Sequence, residues 1–153
     1  ELYRGFLTGN LILDLAISAW FAAQLIKVLI ELAIRRKSSL SALISSGGMP
    51  SSHSAFVCAL AVSMGILYGW RSPMFALAAG MAAVVMYDAM GVRRETGKQA
   101  KLLNMIMEQD FFKFDNELFQ KRLKEFVGHT PLQVAAGAVL GIVLAIGMEY
   151  LYV

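Results

Sequence analysis

Two histidines are the residues of this chain whose type and setting best suit chemistry. His53 ends the stretch "GGMPSSH" and His129 stands in "GHTPLQVAAG"; the sequence has no other histidine. Each precedes a long apolar run, so each is predicted to lie at the start of a helix. A neutral imidazole can attack phosphorus as a nucleophile, and a protonated imidazole can deliver a proton to a leaving oxygen. The pair therefore indicates phosphoryl transfer.

Charged side chains accompany the histidines. Lys27 lies near the end of the first apolar segment, Asp88 ends the third, and Arg93 and Arg94 follow it. Lys and Arg can bind anionic phosphoryl oxygens, and backbone N–H groups at a Gly-rich turn or a helix start can add to that binding. These charged side chains could instead have structural roles. Lys27 and Glu31 have the spacing of an ion pair on one helix face, and Asp88 could pair with either arginine.

A metal is not needed for this chemistry. Two histidines and Asp88 could ligate a metal, but the histidines are 76 positions apart, which matches no compact ligand motif. We therefore predict no metal and no cofactor, and we keep a metal-dependent membrane hydrolase as an alternative.

The elements that must position these residues are membrane helices. The 153 residues are 58% hydrophobic and 16% charged, with a mean hydropathy of +0.59, which is too apolar for an ordinary soluble domain. We predict a single all-α integral membrane domain over 1–153, a helical bundle with a short re-entrant segment and cytoplasmic or interfacial helices. Its four transmembrane helices, spanning or nearly spanning a bilayer, are expected at 11–34, 53–70, 73–90 and 131–153.

The connection at 91–130 is too long for a structureless loop in so small a protein. Its first half is predicted to be a helix with Ala100, Leu103, Ile106 and Met107 on one face. Its Phe-rich second half is predicted to be a further helix at the membrane interface or packed on the bundle.

The basic residues indicate an orientation. Eleven of the 14 Lys and Arg residues lie in the two connections that follow the first and third segments, which predicts that these connections are cytoplasmic and both termini are outside. The histidines, Asp88 and Lys27 then share the cytoplasmic face. The membrane is expected to be a bacterial-type plasma membrane or an equivalent organelle membrane. The net charge of +3 suits anionic headgroups better than nucleic acid, since no long basic run with aromatics is present.

Three stretches, "GGMPSSH", "YDAMGVRRETGKQA" and "GHTPLQVAAGAVLG", together resemble the divergent branch of the type 2 phosphatidic acid phosphatase superfamily. The resemblance runs from about residue 24 to residue 141. It implies a membrane phosphatase in which His129 is the nucleophile and His53 the acid. It also implies that Lys27, Ser51 and Ser52 bind phosphate.

The chain departs from the superfamily pattern in ways that bear on activity. Ser52 stands where the superfamily has a glycine, and Gln133 stands four residues after the second histidine, where the superfamily has an aspartate. We hypothesise that Arg93 or Arg94 replaces a missing phosphate-binding arginine and that Asp88 orients a histidine.

The sequence therefore predicts a phosphatase of lipid phosphates or diphosphates with a cytoplasm-facing site and a phosphohistidine intermediate. Its predicted partners are a lipid phosphate substrate and membrane lipids, without nucleic acid. The superfamily core usually has six helices, so a homo-oligomer is one way to complete it and the extra elements are another. The alternative from a different class is a non-catalytic phospholipid-binding or lipid-translocating protein.

Overall fold

A computed structural model describes residues 4–35, 48–107 and 128–152. Its described secondary structure is entirely helical, which confirms the all-α prediction. Most of the predicted re-entrant stretch and the Phe-rich part of the long connection lie outside the described residues. The helices are α1 (Leu11–Arg35), α2 (Ser52–Tyr68), α3 (Pro73–Met90), α4 (Val92–Met107) and α5 (Pro131–Tyr152).

Three helical stretches are long and apolar enough to cross a membrane. They are Leu11–Ile34, Pro73–Met107, which joins α3 and α4, and Pro131–Leu151. The remaining apolar helix, α2, has 17 residues, at the short end of what a bilayer requires. The prediction of an apolar bundle of about four helices is confirmed in this form, with α2 as the short member.

The short helix α2 is the centre of the bundle, since it packs against α1, α3 and α5. Its sequence explains this position, because a helix that is apolar all round is normally surrounded by others. Small residues predominate among the buried ones, and the closely approached helices leave little room for larger side chains. The buried residues of α2 are Ser52, Ser54, Ala55, Val57, Cys58, Ala59, Ala61, Ser63 and Gly65.

The contact between α2 and α5 is close enough that two glycines are required. An added Cβ on Gly137 would lie 2.2 Å from the carbonyl oxygen of Ser51, and one on Gly141 would lie 2.2 Å from that of Ala55. The contact moves from Gly137 to Gly141 on α5 as it moves from Ser51 to Ala55 on α2, four residues in the same direction on each. The two helices are therefore parallel, and their starts are adjacent. We call this contact the α2–α5 seam. It uses the small-xxx-small spacing of the glycines within one chain.

Local signals fix where the other helices begin. Ser72 caps α3, its hydroxyl oxygen accepting the N–H of Phe75 at 3.1 Å, and Pro73 occupies the first helical position. The preceding hairpin turns at Gly69, whose φ is +90°. Because this turn is short, α2 and α3 are antiparallel neighbours.

A buried carboxyl lies at the far end of the seam from the histidines. Glu149 on α5 is 3% exposed, and the fully buried Ser63 on α2 contributes to its polar surroundings. The α2–α5 seam therefore has polar residues at both of its ends, with small residues between them.

Candidate functional site

The two histidine-bearing helix starts are joined directly by the backbone. The N–H of Ser51, the residue before α2, donates a hydrogen bond of 3.0 Å to the carbonyl oxygen of Gln133 in the first turn of α5. We call this end of the bundle, where α1 ends and α2 and α5 begin, the histidine end. It brings the starts of the His53 and His129 helices together, as their places in the sequence predicted.

His129 is anchored through its own backbone to the end of α3. Its N–H donates a 2.9 Å hydrogen bond to the carbonyl oxygen of Ala89, in the last turn of that helix. The interruption at Gly91, between α3 and α4, falls next to this carbonyl. His129 is buried, with 3% of its surface exposed.

Gln133 contacts the His129 ring. Its Oε1 lies 3.3 Å from Nδ1 of His129 and accepts the backbone N–H of Thr130 at 3.0 Å. In return, the N–H of Gln133 donates to Oγ1 of Thr130 at 3.3 Å. This reciprocal pair is a capping box, which satisfies backbone N–H groups at the start of a helix. The same amide therefore caps α5 and touches the imidazole.

Lys27 is buried at the histidine end, with 4% of its surface exposed. Its alkyl chain packs on Gly48, where an added Cβ would lie 3.2 Å from Cδ of the lysine. Gly48 has a φ of +98°, a conformation that glycine adopts readily. Glu31, one turn along α1, attracts the ammonium electrostatically.

The serines before His53 build the start of α2. Ser51 is fully buried, and its hydroxyl oxygen accepts the N–H of Ser54 at 3.3 Å and the hydroxyl of Ser54 at 3.0 Å. Ser51 is therefore the N-cap of α2. Ser52 is 2% exposed and His53 is partly exposed.

Asp88 is half-buried in the last turn of α3 and borders an open groove of about 510 Å³. The other residues that line this groove are apolar or aromatic: Ala83, Val84, Tyr87 and Val92. Arg94 is exposed on α4, and of Arg93 only the backbone, in the first turn of α4, is described.

The structure thus gathers Lys27, His53 and His129 at one end of the bundle and puts Asp88 beside the carbonyl that anchors His129. It places Arg94 on an exposed helix face. Within 4–35, 48–107 and 128–152, no three His, Cys, Asp or Glu side chains form a cluster that could hold a metal ion.

Two features of this site were not predicted from the sequence: the packing of Lys27 on Gly48 and the capping role of Gln133. The contact between Gly48 and Lys27 joins residues from different segments, and no local pattern indicates it. The capping role of Gln133 had a local signal, since "TPLQ" has the Thr-x-x-Gln spacing of a capping box.

Comparisons with known proteins agree with this membrane architecture. A family model described as "Divergent PAP2 family" matches residues 8–144. The chain is 40% identical over 147 residues to a Bacillus subtilis (strain 168) protein named "Uncharacterized membrane protein YuiD". That alignment covers 90% of this chain and 92% of the relative. No solved structure matches.

Proposed function

The chain belongs to the divergent PAP2 family, and from this premise we propose that it is an integral membrane phosphatase that hydrolyses a lipid phosphate or diphosphate. The observation that carries the proposal is the 3.0 Å hydrogen bond between Ser51 and Gln133. It couples the starts of the helices that bear His53 and His129, so that both imidazoles belong to one end of the bundle.

The first half of the reaction transfers the phosphoryl group to the protein. Nε2 of neutral His129 attacks phosphorus and forms an N–P bond. The bond between phosphorus and the leaving oxygen breaks, and protonated His53 gives its proton to that oxygen. The products of this step are the free lipid alcohol, or lipid monophosphate if the substrate is a diphosphate, and a phosphohistidine.

The second half regenerates both histidines. Neutral His53 takes a proton from water as the water oxygen attacks the phosphohistidine. The N–P bond breaks, its electron pair returns to the His129 ring, and inorganic phosphate leaves.

Negative charge on the phosphoryl oxygens requires cationic and N–H partners. Lys27 supplies a buried ammonium, and α2 begins at this end of the bundle, where the positive end of its helix dipole favours a bound anion. Arg93 and Arg94 are assigned to the phosphate from the neighbouring start of α4. Asp88 is assigned to orienting His53, because Nδ1 of His129 already contacts Gln133.

The lipid nature of the substrate is supported by the surroundings of the site. The groove beside Asp88 has apolar walls and lies on a helix that is long enough to cross a membrane, so an acyl or isoprenoid chain could lie there. The positive-inside bias supports a position of this end of the bundle at the cytoplasmic surface of a bacterial-type membrane.

A non-catalytic phospholipid-binding protein is the second candidate. The observation that favours it is the uncharged Gln133 next to His129, since an amide cannot stabilise a developing imidazolium as a carboxylate can.

The test is phosphate release by purified protein from phosphatidic acid, lysophosphatidic acid and isoprenoid diphosphates in mixed micelles. We expect His129→Ala to abolish release and His53→Ala to lower kcat by about 100-fold or more, the usual contribution of a general acid. A 32P-labelled substrate should leave acid-labile, alkali-stable label on the wild type and none on His129→Ala.

Each alternative has its own outcome. Tight binding of lipid phosphate without turnover would support the binding protein, and activity that is lost with chelator and restored by a divalent ion would support the metal-dependent hydrolase. Full activity of His129→Ala would remove the proposed nucleophile.

A further inference from the structure

Gln133 allows an inference that rests on the proposed function and makes it more specific. We propose that Gln133 is a positioning residue that selects the Nδ1–H tautomer of His129 with an uncharged acceptor. The aspartate that the superfamily has at this position would add a negative charge, whereas the amide of Gln133 is uncharged. The lone pair of the neutral ring is then on Nε2, the nitrogen assigned to attack phosphorus.

The first step is the identity of the amide atom. The backbone N–H of Thr130 is a donor and lies 3.0 Å from the Gln133 atom that also faces His129. An NH2 group in that place would put donor against donor, so the atom must be the oxygen. The assignment of the amide therefore follows from the backbone.

The second step is the proton on the ring. Nδ1 of His129 lies 3.3 Å from the same oxygen, which can accept a second hydrogen bond with its other lone pair. Because an amide oxygen cannot donate, this contact is a hydrogen bond only in the tautomer whose hydrogen is on Nδ1, and the oxygen therefore favours that tautomer. In the neutral imidazole the other nitrogen, Nε2, then has the lone pair.

The third step is that the acceptor is in place before the ring uses it. The reciprocal bonds between Thr130 and Gln133 fix the amide in the first turn of α5, and the bond from His129 N–H to Ala89 fixes the backbone of the histidine. Neither restraint depends on the imidazole. The orientation of the ring is therefore set by the helix cap, and little reorganisation is required during the reaction.

The uncharged state of Gln133 has a consequence for pH dependence. A carboxylate in hydrogen-bond contact would keep the ring protonated to higher pH, and a protonated ring cannot attack phosphorus. Gln133 orients the ring without this effect, so the nucleophile stays neutral to lower pH. The other titratable groups carried to this end by the neighbouring helices are Lys27, Glu31, His53, Asp88 and Arg94, and none of them differs between Gln133 variants.

The direct test is the tautomer, which does not depend on turnover. With 15N-labelled imidazoles, the chain gives signals from two histidines, and His53→Gln assigns those of His129. We expect Nδ1 of neutral His129 to be the pyrrole-type nitrogen and Nε2 the pyridine-type nitrogen. Gln133→Leu, which removes this acceptor, should lower the population of that tautomer. The reverse tautomer in the wild type, or an unchanged tautomer in Gln133→Leu, would overturn the proposal.

The second test separates orientation from charge. Gln133→Glu keeps an acceptor in the cap and adds a charge, so the acid limb of the kcat/KM profile should move to higher pH by about one unit. An unmoved limb would overturn the part of the proposal that concerns charge.

Thr130→Ala is the matched control. It removes the hydroxyl that caps Gln133 N–H but retains the Thr130 backbone N–H and the Gln133 oxygen. We expect lower stability, an unmoved acid limb and the wild-type tautomer. If the wild type releases no phosphate from any substrate, the proposed function fails, and the tautomer measurement still decides the role of Gln133.

Discussion

Lys27 has a charged amine on a side chain that is almost fully buried, and its alkyl stem lies against a glycine. The stem passes Gly48 at van der Waals distance, and any side chain at that position would have to displace it. The amine can then reach the histidine end while the stem occupies the space beside the turn before α2. The position of this phosphate-binding candidate therefore depends on a residue in a different segment.

Gly48→Ala should weaken phosphate binding. The new Cβ meets Cδ and Cγ of Lys27 at 3.2 and 3.3 Å, and the positive φ of 98° disfavours alanine by about 1–2 kcal/mol. We expect KM for the lipid phosphate to rise by roughly tenfold, equivalent to about 1.4 kcal/mol.

Gly69→Ala is the control for this prediction, because Gly69 has a φ of +90° and an added Cβ there meets nothing within 4 Å. It should show a similar loss of thermal stability without a change in KM. A rise in KM that is equal in the two variants would mean that backbone strain, and not displacement of Lys27, is responsible.

Gln133 shows what sequence could and could not reveal at this scale. In the superfamily pattern Gln133 replaces an aspartate, which indicates a weakened nucleophile. Together with Thr130 it forms the cap of α5, and its side-chain oxygen contacts His129. The capping pattern is local and could be predicted. Its contact with the ring depends on how the chain enters α5, which the anchor at Ala89, 40 residues earlier, determines.

At the scale of helices, the α2–α5 seam is the contact that sets the geometry of the histidine end. Its glycines were recognisable as a helix-packing signal, but the identity of the partner helix was not, because small residues occur on several helices. The structure places α2 opposite them, in a parallel arrangement that brings the two helix starts level.

Gly141→Ala should separate the two helices. Its Cβ would lie 2.2 Å from the Ala55 carbonyl oxygen, a backbone atom that cannot move without shifting α2. We expect a loss of about 1–3 kcal/mol, the usual cost of overpacking, together with reduced activity. Thermal unfolding in detergent, followed by circular dichroism, measures the loss.

Gly147→Ala provides the comparison within the same helix, since an added Cβ there meets nothing within 4 Å. Its stability should equal or slightly exceed that of the wild type, because alanine favours helix. Equal destabilisation by the two substitutions would contradict the close approach at the seam.

Helix α4 was predicted as a helix, but its buried side differs from its apolar face. The predicted face contained Ala100, Leu103 and Ile106, yet Leu103 is 48% and Ile106 41% exposed, while Ala100 and Asn104 are buried. The buried side of α4 consists of small and polar residues, which permit close contact. The larger apolar residues point away from the described bundle. Periodicity alone does not distinguish a face that contacts protein from one that contacts lipid.

At the scale of the whole molecule, the apolar runs and their Gly and Pro boundaries were enough to predict the helices within a few residues. The first apolar segment was expected at 11–34 and the helix is Leu11–Arg35. The second was expected at 53–70, and α2 ends at Tyr68 because Gly69 turns the chain. Composition alone could not predict that this short helix would be central.

The orientation of the bundle is testable with introduced cysteines. Cys58 is the single cysteine and is buried, so Cys58→Ala gives a background without thiols. In that background, Arg71→Cys should react with a membrane-impermeant thiol reagent in intact cells. Lys98→Cys should react only after permeabilisation, because the basic connections are predicted to be cytoplasmic. The reverse pattern of labelling would place the histidine end outside.

The hydrogen bond from His129 to Ala89 joins two backbone positions that are 40 residues apart in the sequence. The entropic cost of closing a chain between two fixed points grows slowly with its length, by about 0.6 kcal/mol for each doubling. The backbone anchor of the proposed nucleophile should therefore tolerate homologues in which the connection between these two positions differs in length.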